Sequence, residues 1–150
     1  MARMLMLSMM LALGAMSAAA SAKTCNVEVE GTDAMKFNTS QIAIAADCTE
    51  VEVTLKHVGK LPVTAMGHNW VLTATPDFQP VASAGASAGP SAAYLPKDDN
   101  RVIAHTKLIG GGETTTVRFA TSKLKKGGDY TFFCSFPGHW AVMKGKLTFG

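Results

Sequence analysis

The chain is predicted to be all-β, a Greek-key β-sandwich or barrel of seven to eight strands with a short helical flap. Three features of the chain say so. Short segments alternate apolar and polar side chains, others are rich in β-branched residues, and Gly, Pro or Asp punctuates the intervals between them. No stretch repeats another, which excludes a propeller or a solenoid.

In chain order, residues 1–22 have the layout of a secretory leader and are expected to be cleaved. Arg3 precedes an apolar run over residues 4–16, and Ala20-Ser21-Ala22 supplies an A-x-A site. That run is shorter than the ~20 residues that span a bilayer, so a leader fits better than an anchor. The remainder, residues 23–150, is the size of one domain.

Cys25-Asn26-Val27-Glu28-Val29-Glu30 alternates as a half-buried strand does, and Gly31-Thr32-Asp33 ends it as a turn. Residues 42–45 give a second strand and residues 50–57 a third. In the third, Val51, Val53, Leu55 and His57 share one face, so His57 points inward. Gly59 and Pro62 break the pattern. From 68 to 73 the chain is again extended, with His68, Trp70 and Leu72 on a common face.

Thr75-Pro76-Asp77 resembles a helix start, Thr75 as N-cap and Pro76 at the first helical position. The Ala/Ser/Gly-rich stretch 81–93 is expected to hold one or two helical turns at most, given its glycines and Pro90. Residues 102–108, 114–119 and 130–134 supply further strands, and residues 144–149 the last.

Composition narrows the function. The leader carries one basic residue, Arg3, and no acidic one, so its removal lowers the formal charge of +3 by one. That is too weak a charge to argue for nucleic acid. Lys123, Lys125 and Lys126 beside Gly127-Gly128 make a solvated turn. Six of the nine methionines fall in the leader, leaving Met35, Met66 and Met143.

Three cysteines in an exported chain leave one over after pairing. Cys25 with Cys48 is the economical pair because Cys134 lies among metal-ligand types. A pairing that used Cys134 stays open and would abolish the site proposed next.

That site centres on Cys134-Ser135-Phe136-Pro137-Gly138-His139-Trp140-Ala141-Val142-Met143, which gathers a thiol, an imidazole and a thioether in one short loop. Soft donors of this kind suit copper better than calcium or magnesium. A second imidazole, His68 in Met66-Gly67-His68-Asn69-Trp70, would complete the set.

These two segments, their order and spacing, the Cys25/Cys48 pair and Val102-Ile103-Ala104-His105-Thr106-Lys107-Leu108-Ile109-Gly110 resemble the small blue-copper proteins of the cupredoxin family. The likeness covers nearly all of residues 23–150. Four residues separate Cys134 from His139 and three separate His139 from Met143, unlike the shorter Cys-to-His loops of plastocyanin-like relatives.

The resemblance implies a cupredoxin-like fold and one type 1 copper. Its equatorial ligands would be His68, Cys134 and His139, with Met143 and the Gly67 carbonyl oxygen as weaker axial contacts. Asn69 would tie the two ligand segments together, and the Phe136 amide would donate to the Cys134 sulfur. The resemblance also implies that His57 is a histidine near the copper whose protonation couples to redox state. Met66, Ala141 and Val142 would form an apolar collar for docking partners, with Trp140 assigned either to it or to packing. His105 is an ordinary surface histidine.

Function then follows as an expectation. The protein would be a soluble, monomeric, periplasmic electron carrier and not an enzyme. It would dock transiently on redox proteins such as c-type cytochromes or a periplasmic reductase or dehydrogenase. A copper enzyme would need a second metal cluster, and with four histidines, two already assigned, the chain has too few to build one. A structural zinc site would normally close with four N or S donors, a set that Met143 does not suit.

Overall fold

The computed structural model describes residues 22–150. Of the expected leader, residues 1–22, all but the last lie outside the described residues. Two sheets pack face to face, as the alternation requires. One is built from β1 (Thr24–Thr32), β2 (Lys36–Phe37), β4 (Glu50–His57) and β7 (Thr114–Ala120), in the order β2-β1-β4-β7. The other has the order β3-β9-β8-β5-β6, from β3 (Gln41–Ile44), β5 (Val71–Ala74), β6 (Ala104–His105), β8 (Tyr130–Phe133) and β9 (Lys144–Phe149).

The β1–β4 and β3–β9 pairs are parallel and the rest antiparallel; the chain changes sheets between β2 and β3, β3 and β4, β4 and β5, β6 and β7, and β7 and β8. Two α-helices, α1 (Val63–Met66) and α2 (Phe78–Ala88), and four short 3-10 turns lie among the described residues. The strand beyond the expected eight is the two-residue β2, too short for alternation to reveal.

Period-two patterning builds the core. In β4, Val51, Val53, Leu55 and His57 are buried while their neighbours are partly exposed. Val51, Val53 and Leu55 belong to one cluster with Val29, Leu72, Phe132, Leu147 and Trp70, whose ring stacks near Phe119 (centroids 6.3 Å) and Phe132 (6.0 Å). Each fully buried aliphatic or aromatic side chain of this kind contributes roughly 1.5–3 kcal/mol.

β5 and β8 are buried on both faces, because α2 covers their outer side. Val71 and Phe133 pack there with Phe78, Val81, Ala82 and Leu95, and Val102 and Trp140 border the cluster. This explains why Phe132-Phe133-Cys134 is apolar without alternation.

Three local expectations change. α2 runs for 11 residues rather than one or two turns. Its Pro80 falls in the first turn, where no intrahelical donor is needed. Burial of Phe78, Val81, Ala82 and Gly85 offsets the weak propensity of its glycine. Thr75 is not an N-cap: it lies inside a 3-10 turn capped by Ala74, and its hydroxyl pairs with that of Thr131 at 2.9 Å.

The strands expected over 68–73 and 102–108 are shorter than their patterns. His68 makes only an isolated bridge to Ile109. Thr106 spends its hydroxyl on the Trp70 amide, 2.9 Å away. Cys25 and Cys48 form a disulfide, leaving Cys134 free and buried.

Candidate metal centre

Cys134 follows the last residue of β8, and its amide donates to the Met143 carbonyl oxygen at 3.0 Å, which closes the loop between them. Gly138, at φ +81°, turns the chain into the left-handed region, where glycine carries no Cβ penalty. A 3-10 turn over His139–Ala141 follows, and the Met143 amide bonds back to the His139 carbonyl at 2.7 Å. His139 and Met143 are thereby directed into the molecule, 3% and 0% exposed.

His68 arrives from the segment before β5, also fully buried. Its Nδ1 lies 3.8 Å from Cys134 Sγ, and His139 Nδ1 lies 3.6 Å from the same sulfur. Donor atoms of the three residues all fall within 4.8 Å of one another. The Gly67 carbonyl oxygen is 3.7 Å from Sγ.

Protonation states favour a soft cation. His68 Nε2 lies 2.9 Å from the Thr32 carbonyl oxygen, which can only accept, so Nε2 carries the proton and Nδ1 keeps its lone pair toward the sulfur. Burial pushes the pKa values of both imidazoles down, that of His139 to about 4, with neighbouring histidines reinforcing the effect. Burial likewise pushes the Cys134 thiol up to about 12, opposed by the backbone amides of Asn69 and Phe136. Two neutral imidazoles and a thiol that ionises only against a strong positive charge fit copper well.

The surroundings fix these donors. Asn69 bridges the two ligand segments: its Oδ1 accepts the Ser135 amide at 2.8 Å and its Nδ2 donates to Ser135 Oγ at 2.7 Å. His57 stacks on His68 with centroids 4.2 Å apart and an interplanar angle of 17°. Its Nε2 donates to the Met66 carbonyl at 2.8 Å and its Nδ1 accepts the Gly59 amide at 3.1 Å.

Glycine at 67 serves packing. A Cβ there would lie 2.6 Å from the Val63 carbonyl oxygen and 2.9 Å from the Phe136 ring. Phe136 itself lies against His139, centroids 4.6 Å apart.

Sequence patterns did not point to several residues found here. Gly31 is one: a Cβ would come within 2.7 Å of the His68 ring and 3.1 Å of Met143 Cε. The Thr32 carbonyl and the Asn69 amide are others, and backbone groups leave no trace in residue type. Met35, Val58, Leu61, Val63 and Val142 are the exposed large apolar residues among the described residues. Met66 is partly exposed and Ala141 exposed. Trp140 turns its ring onto Phe78 of α2, centroids 6.0 Å apart. His105 lies exposed on β6, apart from the donors.

Comparison with known proteins agrees with this geometry. The family described as copper binding proteins, plastocyanin/azurin family, matches residues 23–150. Azurin of Pseudomonas fluorescens biotype C is 56% identical over 124 residues, 83% of this chain and 97% of that one. Azurin of Bordetella pertussis is 52% identical over 135 residues, 90% of each chain. The solved structure of azurin Az-iso2 from Methylomonas sp. strain J superposes with a TM-score of 0.81 at 44% identity, covering 84% of this chain and 98% of that one.

Proposed function

This chain belongs to the plastocyanin/azurin family of copper-binding proteins and is a blue-copper electron-transfer protein; from that premise we propose how it holds the metal and meets its partners. His68, Cys134 and His139 would hold one type 1 copper, with Met143 and the Gly67 carbonyl oxygen as weaker contacts. The carrying observation is the buried group of two imidazoles and one free thiol, its donor atoms within 4.8 Å of one another. Bound there, copper supplies a one-electron couple between Cu(II) and Cu(I).

The residues do the remaining work. Nitrogen donors serve the oxidised ion and sulfur donors the reduced one, so a single arrangement suits both. Asn69 and the Phe136 amide steady the sulfur and damp its electron donation, which raises the reduction potential. His57, stacked on His68, is the candidate for a redox-linked histidine.

The protein is a diffusible carrier and not an enzyme. Of the histidines outside the donor set, His57 already uses both ring nitrogens and His105 lies apart on β6, too few to build a second metal cluster. Residues 1–22 are removed on export to the periplasm; the family match begins at the next residue, Lys23. No helix among the described residues is long and apolar enough to cross a membrane.

A monomer docks transiently, through Met66, Ala141 and Val142 with Trp140 at the margin, on c-type cytochromes or a periplasmic reductase or dehydrogenase. Val142, 65% exposed, is the most open of the exposed large apolar residues. In stopped-flow mixing with a c-type cytochrome, Val142→Asp should slow electron transfer about tenfold, a loss typical of an interface anchor. Its visible spectrum should match wild type. Equal rates would contradict docking through this rim.

A further inference from the structure

We propose that Trp140 is a positioning residue for the copper centre: with Phe78 and Phe133 it forms an aromatic clamp that sets the separation of Cys134 from His139. This rests on the assignment of those two residues as ligands. Phe133 immediately precedes Cys134, and Trp140 immediately follows His139. Both rings meet Phe78 of α2, Phe133 edge-on at 4.9 Å and 66°, Trp140 edge-on at 6.0 Å and 72°.

The loop between the ligands, Ser135-Phe136-Pro137-Gly138, includes two exposed residues, Pro137 and Gly138. Asn69 grips its first residue through both side-chain atoms, and Phe136 rests on Tyr94 with centroids 5.2 Å apart. Beyond Gly138 the side-chain anchor nearest to His139 along the chain is Trp140.

Phe78 is a firm base for it. It is buried with Val81, Ala82 and Leu95, and the Lys144 ammonium lies over its ring, 5.1 Å from the centroid. The clamp therefore ties the two ends of the ligand loop to one side chain of a packed helix. Edge-to-face aromatic pairs add attraction beyond the area they bury. A donor set held in advance binds without the cost of ordering it.

The test compares wild type, Trp140→Ala, Trp140→Phe, Phe78→Ala and the double Ala variant, each loaded with one Cu(II). Copper release to excess chelator and the width of the Cu(II) electron paramagnetic resonance lines are measured. Thermal unfolding of the apo forms is followed in parallel. Trp140→Ala should release copper about threefold to tenfold faster, the range an aromatic pair commands, with broadened lines. Trp140→Phe should recover most of this, and the double variant should add little to Phe78→Ala.

Wild-type release and line width in Trp140→Ala, even with a lowered unfolding temperature, would overturn the clamp and leave Trp140 as packing alone. The same release rate in Trp140→Phe and Trp140→Ala would overturn it too. Failure of the ligand assignment is distinguishable: the Cys134→Ser variant would then keep the visible copper absorption of wild type.

Discussion

Cys134 is buried where an isolated thiolate is costly, and His139 and His68 where an imidazolium is costly. Without metal, these groups should shape stability against pH, and the sign follows from which state binds more protons. Below about pH 6.5 the unfolded chain protonates histidines that the fold keeps neutral, so stability falls toward pH 4, where folded His139 titrates. Above about pH 9 the unfolded chain ionises a thiol that the fold keeps protonated up to about 12, so stability falls again. Urea unfolding of the reduced apo protein should show a plateau between these limits; stability still rising below pH 6 would contradict it. The three donors were legible in sequence because soft side chains at that spacing have few other uses. The Thr32 carbonyl and Gly31 were not, since their roles arise only when β1 is laid alongside β4 and His68 is packed across its end.

Among elements, β1 separates stability from chemistry. Its register with β4 pairs Cys25 with Val51 at one end and Gly31 with His57 at the other. At ~3.3 Å per residue, those ends are about 20 Å apart. The Cys25–Cys48 bridge, which joins residues 23 apart in sequence, therefore acts remotely from the copper. Replacing both cysteines by Ala should lower unfolding free energy by about 3 kcal/mol, less any relief of strain. The visible copper spectrum should stay as in wild type, and its loss would mean that the two ends are coupled. Strands β1 and β4 were readable because one face of each is solvated and alternation survives. The full length of α2 was not, because Pro80, Gly85 and its serines lower its propensity and its support comes from Val71 and Phe133.

For the whole molecule, the sandwich buries its metal centre among Cys134, His139 and Met143 of one loop and His68 before β5, and leaves Met35, Val58, Leu61, Val63 and Val142 exposed. The three donors are buried, and Val142, on the loop that carries two of them, is exposed and apolar. The sandwich itself was legible from strand count and turn signals. The breadth of exposed apolar surface was not: Val58, Leu61 and Val63 lie in a segment with no periodicity, and only the fold shows that they stay exposed. The account stands most directly on titration of the reduced apo protein with Cu(II), followed optically and then by voltammetry. One equivalent should produce an intense visible band that is absent in Cys134→Ser, together with a reversible one-electron couple. A colourless adduct, a band that survives in Cys134→Ser, or a stoichiometry other than one would contradict a single copper held by His68, Cys134 and His139.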